Sequence, residues 1–159
     1  DGWFIRKSFK EFSKKYYFEK IKRLKIASTD ANNLPLLRYM AKKGRPMILS
    51  TAMSNIDEIK NSVALIKSEG VKELVVLQCT GSYPAPTDQV NILAMKQISE
   101  ECSVAVGYSD HTPGYNAAIT AVALGACVYE KHFTMSRDLP GPDHRASLEP
   151  EELKEELVC

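Results

Sequence analysis

Two short runs in this chain bring residues that could do chemistry to the same kind of place. They are G-Y-S-D-H-T (Gly107 to Thr112) and E-K-H-F-T (Glu130 to Thr134). Each reads as the tip of a β-strand ending in a polar cluster, and each holds one of the chain's three histidines, His111 and His132. Two imidazoles delivered by neighbouring strand ends are the start of a metal site. They suit Mn, Zn, Co or Fe, with water or substrate oxygens completing the shell. For either histidine alone, a turn residue satisfied by its neighbour Asp110 is the plainer reading; the pairing is what favours a metal.

Other polar groups fall at comparable positions. Lys25, Ser28 and Asp30 surround the first strand, and a lysine, a hydroxyl and a carboxylate can bind an anion and handle a proton. Ser50, Thr51 and Ser109 add hydroxyls at further strand tips, which points weakly to a phosphate or carboxylate ligand. After the last strand comes M-S-R-D-L-P-G-P-D-H-R-A-S-L-E-P, too rich in Pro and Gly for a strand or helix. It reads either as a plain surface loop or as one that carries Asp143, beside His144, over the strand ends. Ser147 and Glu149 are expected to cap the helix that follows.

The elements that must position these groups alternate. Apolar runs at 24–28, 46–51, 74–79, 104–108 and 127–133 read as strands. Amphipathic segments at 34–43, from Ser54 to Gly70, at 92–101, at 115–124 and at 151–157 read as helices. Ser54 is the expected cap of the second helix, with Asp57 three residues on. Near-continuous apolar strands each followed by a helix mean a parallel sheet covered by helices. The polar residues then gather at the carboxyl ends of the strands, the functional edge of open sheets and barrels alike. Five β/α units fall short of the eight in a closed barrel. There is no G-x-G-x-x-G after the first strand and no G-x-x-x-x-G-K-[ST], which weakens dinucleotide and P-loop readings.

Composition sets outer bounds. The chain has 159 residues, 44% hydrophobic and 26% charged, an ordinary globular balance with room for one real core. A net charge of +1 gives no bulk field for nucleic acid or an anionic membrane. The stretch Arg6 to Lys25 is basic with interleaved aromatics, and reads as an amphipathic helix with a solvated face sooner than as a nucleic-acid patch. Cys79, Cys102, Cys127 and Cys159 form no C-x-x-C pair, and Cys79 and Cys127 lie in apolar runs expected to bury them. The expectation is a reduced, cytoplasmic protein with no membrane span.

The succession K-I-A-S-T-D-A-N-N-L-P, K-G-R-P-M-I-L-S-T-A-M, L-Q-C-T-G-S-Y-P-A-P, G-Y-S-D-H-T-P-G, A-V-A-L-G-A, E-K-H-F-T and G-P-D-H-R-A-S-L-E-P closely resembles the sialic acid synthase family: N-acetylneuraminate synthases and their relatives for other nonulosonic acids. The match runs in order from about Lys25 to the C-terminus. The resemblance implies an α/β fold, a TIM-type (β/α) barrel present as roughly its last five units, with residues 24–159 as partial barrel and 1–23 matching poorly. It implies condensation of phosphoenolpyruvate with N-acetylmannosamine, or a related N-acyl amino sugar, with release of phosphate. It implies a divalent metal, Mn or Mg, on His111 and His132. Lys25, Ser28, Ser50 and Ser109 match phosphoenolpyruvate positions. Asp30, Tyr83 and Asp143 match positions facing the sugar, with Asp30 and Asp143 the candidates for proton transfer. The parent enzyme is expected to be a homodimer.

The sequence also departs from the family's pattern. Asp30 stands where many members have Glu, Thr29 and Ala52 where many have Gly, and Gln78 where many bacterial members have His. The family's first three strands and its C-terminal antifreeze-like domain are missing from these residues. Two other readings stay open here: a catalytically inactive remnant, and a Schiff-base aldolase using Lys25 or Lys131, which would need no metal.

Overall fold

In the computed structural model, residues 21–156 are described. The basic aromatic stretch that begins at Arg6 lies almost wholly outside them, as does Cys159. Five strands form one parallel sheet in sequence order: β1 (Leu24–Ile26), β2 (Met47–Ser50), β3 (Leu74–Cys79), β4 (Ala105–Asp110) and β5 (Tyr129–Lys131). Each is followed by a helix: α1 (Leu34–Ala41), α2 (Ile56–Ser68), α3 (Ala94–Cys102), α4 (Asn116–Ala123) and α5 (Pro150–Glu156). These are the five β/α units that the apolar periodicity anticipates. No described helix is long and apolar enough to cross a membrane.

Side-chain alternation along the strands sorts the sheet into two faces. Leu24, Ile26, Met47, Leu49, Leu74, Val76, Val106 and Tyr108 pack into one cluster with helix residues such as Leu37, Met40, Ile59, Val63, Ile66, Met95 and Ile98. Their neighbours in sequence, among them Lys25, Ser50, Cys79 and Ser109, turn to the opposite face. That face is concave. Lys25 on β1 and Glu130 on β5 stand at opposite edges of a five-stranded sheet, yet Nζ and Oε2 are 3.4 Å apart. Only a strongly curled sheet lets its two edge strands touch through side chains, so the sheet is part of a barrel, with helices on its convex side.

Local sequence explains most element ends. In α2 the cap is Asn55, one residue later than expected. Asn55 Oδ1 accepts from the Glu58 amide at 3.0 Å, and Glu58 Oε2 accepts from the Asn55 amide at 2.9 Å. S-N-I-D-E holds two overlapping capping frames. The Ser54 amide is already donated to the Thr51 carbonyl, closing the preceding turn, and the Asn55/Glu58 frame makes both reciprocal bonds. In α5, Glu149 precedes the first turn and its amide donates to Glu152 Oε2 at 2.9 Å. Ser147 does not cap this helix as expected; its hydroxyl donates to the Asp143 carbonyl at 2.7 Å.

β1 and β2 are a residue or two shorter than the periodic reading, and β4 and β5 differ in ways that matter for the site. β4 runs on to Asp110 instead of ending at Tyr108, because its polar end remains paired with β5. β5 is only three residues long, and Cys127 is exposed instead of buried. Among the described strands β5 pairs on one side only, so the apolar residues before it lack a second neighbour.

Gly107 of β4 packs tightly against the backbone just before β5. A Cβ there would lie 2.2 Å from the Val128 carbonyl oxygen and 2.6 Å from Leu77 Cδ2. The first obstacle is backbone and cannot swing away. Gly107→Ala is therefore expected to destabilise the chain by about 2–3 kcal/mol, the range for overpacking a tight interior. A urea unfolding midpoint equal to wild type would contradict this.

Candidate metal and anion site

The β4–β5 register pairs Tyr108 with Tyr129, Ser109 with Glu130 and Asp110 with Lys131. One residue beyond that ladder stand His111 and His132, each just past its strand's end. Parallel pairing carries both side chains to the concave face, and their ring centroids are 5.3 Å apart. Tyr83, from the loop after β3, lies against both: 3.9 Å from the His111 centroid and 5.2 Å, edge-on, from His132. The Ala85 amide, donated to the His111 carbonyl at 2.8 Å, ties that loop down.

His111 is buried, and its Nδ1 is 2.6 Å from the Thr80 carbonyl oxygen. A carbonyl can only accept, so Nδ1 carries the proton and Nε2 presents a lone pair. This is the tautomer a metal-ligating histidine adopts when a backbone oxygen orients it. Burial holds the His111 imidazolium below its usual range; the Thr80 carbonyl opposes that shift and His132 adds to it. Among the described residues, no group of three or more His, Cys, Asp or Glu is arranged to hold a metal. What converges here is two imidazoles, which with oxygen ligands from water or substrate could hold a divalent ion in an open site, unlike the four-ligand shell of a closed structural zinc.

Asp110 does not serve His111. Its Oδ1 accepts from the Thr112 amide at 2.8 Å, and its Oδ2 from the Tyr129 hydroxyl at 2.8 Å and Lys131 Nζ at 2.6 Å. Both partners of this pair are buried, with side-chain exposures of 0% for Asp110 and 4% for Lys131. Lys131 Nζ also donates to the carbonyls of Thr112 and Gly114. All three ammonium protons are used on the convex side of the strand, which removes Lys131 as a Schiff-base nucleophile.

The anion candidates gather on the concave face. Ser109 Oγ donates to Glu130 Oε1 at 2.8 Å, and Lys25 Nζ lies by Glu130 Oε2 and donates to the Ile26 carbonyl at 3.1 Å. Ser28 Oγ accepts from the Ala52 amide at 3.0 Å. Ser50 Oγ is buried with no hydrogen-bond partner among the described residues. Thr51, by contrast, spends its hydroxyl on the Leu77 carbonyl at 2.9 Å, a structural role. Cys79 stands among these groups, its Sγ 3.8 Å from His111 Nδ1. Burial pushes this thiol up, and the hydroxyls of Ser109 and Ser28 oppose the shift.

Of the carboxylates proposed for proton transfer, Asp143 acts on Tyr83 through its charge. Burial first, then the negative charges that Cys79, Asp143 and Glu130 can carry, push the Tyr83 phenol up to about 12. The loop holding Asp143 is pinned by His144, whose Nδ1 is 2.7 Å from Thr134 Oγ1. Thr134 gives its proton to the Ser136 carbonyl, so His144 is the donor. Asp30 lies in the 3₁₀ turn Ser28–Asp30, where its Oδ1 accepts from Asn33 Nδ2 at 3.3 Å. Sequence reasoning missed Glu130 and Cys79. The signal for Glu130 was present: it sits two residues before His132 and so shares its face.

A curled parallel β/α sheet with polar groups converging at the carboxyl ends of its strands is the frame of a barrel enzyme. Comparison with known proteins makes this specific. The NeuB family model matches residues 9–158, and the chain belongs to that family. It is 47% identical over 141 residues to the N,N'-diacetyllegionaminic acid synthase of Campylobacter jejuni, covering 87% of this chain and 42% of that protein. It is 40% identical over 132 residues to human N-acetylneuraminate-9-phosphate synthase, covering 82% of this chain and 36% of that one. The crystal structure of a Leptospira borgpetersenii N-acetylneuraminic acid synthetase superposes with a TM-score of 0.82 at 36% identity, covering 87% of this chain and 48% of the other. The chain thus spans about two-fifths of the length of these curated relatives.

The buried Asp110–Lys131 pair holds the two histidine-bearing strand ends together. Lys131→Met should leave Asp110 buried without its counter-ion and destabilise by about 3–5 kcal/mol, while Asp110→Asn with Lys131→Met should recover much of the loss. Guanidinium unfolding of the two variants checks this; equal losses would contradict it.

Proposed function

We propose that this chain supplies the metal-binding and much of the phosphoenolpyruvate-binding side of a nonulosonic acid synthase. In that reading its five units are the last five of a TIM-type (β/α)8 barrel. The reaction joins phosphoenolpyruvate to an N-acyl amino sugar, N-acetylmannosamine or a relative, in the cytoplasm, and releases phosphate. The observation that carries the reading is the paired His111 and His132, one with a fixed Nε2 lone pair, beside a concave face bearing Lys25 and the serine hydroxyls of Ser28, Ser50 and Ser109. Similarity to synthases of legionaminic and N-acetylneuraminic acids supports the same class.

His111 and His132 would hold a divalent ion, Mn or Mg. When bound, such an ion supplies Lewis acidity to the aldehyde of the open-chain sugar. Lys25, Ser28 and Ser50 offer donors to the phosphate and carboxylate of phosphoenolpyruvate, with Ser109 beside them. C3 of phosphoenolpyruvate bonds to the aldehyde carbon, water adds at C2, and the C2–O bond to phosphate breaks. Asp30 or Asp143 would move a proton on the sugar or water. Tyr83 lies against both imidazoles and closes one side of the sugar region. In the whole enzyme a homodimer is the expected assembly.

The test is phosphate release from phosphoenolpyruvate with N-acetylmannosamine and Mn²⁺, measured on the protein as its gene encodes it. His111→Ala and His132→Ala should each abolish metal-dependent release, and the double variant should lose Mn²⁺ binding measured by electron paramagnetic resonance. Mn²⁺ bound as tightly by the double variant as by wild type would remove the metal assignment.

A further inference from the structure

Glu130 joins the two edges of the curled sheet and touches two of the groups assigned to the anion. Its Oε2 is 3.4 Å from Lys25 Nζ and its Oε1 accepts the Ser109 hydroxyl proton at 2.8 Å. A serine has one proton to give, so Ser109 has none left for a ligand while this bond stands. A lysine and a serine gathered by one carboxylate, one partner on each oxygen, is the arrangement an incoming carboxylate or phosphate would itself make. We propose that Glu130 is the internal counter-anion of this cradle: it occupies both donors in the ligand-free protein, and an anionic ligand binds by displacing it. This rests on the reading that Lys25 and Ser109 line an anion site.

The obvious rival is that Glu130 merely steers Lys25 into place, and the two accounts predict opposite signs. The Lys25 and Glu130 side chains are 25% and 40% exposed. An ion pair so exposed holds its lysine with a strength worth at most about fivefold in affinity. Removing a negative charge from beside a multiply charged anion is worth about tenfold or more. Repulsion therefore outweighs steering, and Glu130 weakens anion binding in the ground state. It also keeps Lys25 from standing unpaired when no ligand is present, and helps expel the phosphate released by the reaction.

Calorimetric titration of the chain with inorganic phosphate and with phosphoenolpyruvate, metal absent, tests this. Glu130→Gln should bind both about tenfold more tightly than wild type, with unchanged far-ultraviolet circular dichroism. Equal or weaker binding by a folded Glu130→Gln, when wild type binds, overturns the counter-anion role and leaves the anion site standing. Absence of binding by both proteins overturns the anion site, and the proposal with it. A second measurement needs no variant. In wild type, phosphate should shift the Glu130 side-chain carboxyl carbon resonance along the same binding curve as the Lys25 Cε resonance. A Lys25 shift with Glu130 unmoved would overturn the proposal independently.

Discussion

The parallel pairing of β4 with β5 sets the geometry on which the rest of the site depends. Its register places Ser109 beside Glu130 and Asp110 beside Lys131. Alternation then sends the first pair to the concave face and the second to the convex one. The next step of the same ladder brings His111 and His132 together. One register thus creates the hydrogen-bonded Ser109–Glu130 pair, a buried ion pair and a pair of imidazoles, and a slip of β5 by one residue would turn Glu130, Lys131 and His132 to the opposite faces from their β4 partners. The Asp110–Lys131 pair is a strong guard against such a slip, because breaking it would strand a buried charge.

Curvature is the second constraint. A flat sheet of five strands in sequence order would hold β1 and β5 far apart, since adjacent strands lie about 4.8 Å from one another. The contact between Lys25 and Glu130 requires the sheet to curl strongly. That curl brings a lysine of β1 to the face that carries the histidines of the far edge. The helices follow from it: Leu37, Met40, Ile59, Ile66, Met95 and Ile98 fill the convex side, while the polar residues at the strand ends lie on the concave side. The site is polar where the core is not because the two faces of each strand serve different solvents, a packed helix layer and a ligand space.

Much of this was legible in the sequence, for reasons that can be stated. The five β/α units follow from apolar runs alternating with amphipathic ones, and His111 and His132 from their places at strand tips. Capping was legible in kind but not in frame: S-N-I-D-E contains two candidate boxes, and only the Thr51–Ser54 turn decides between them. Asp110 was read as a neighbour of His111 because the two adjoin in sequence, whereas strand alternation points them to opposite faces. A Schiff-base role for Lys131 was already disfavoured by the histidine pair, and the three acceptors around its ammonium, which local sequence does not reveal, remove it. Cys127 was expected inside because its surroundings are apolar, but burial at an edge strand depends on a neighbour that local sequence does not reveal. Glu130 lay hidden for a related reason: its partners are 21 residues away in β4 and on β1 at the opposite edge.

The central claim is that His111 and His132 form a divalent metal site with His111 bound through Nε2, its Nδ1 being held by the Thr80 carbonyl. Anomalous diffraction at the manganese edge from crystals grown with Mn²⁺ addresses this directly. The account predicts one strong peak at coordination distance from Nε2 of His111 and from a ring nitrogen of His132, with the Thr80 contact intact. No peak between the two imidazoles, or a peak reached through Nδ1 of His111, would contradict it.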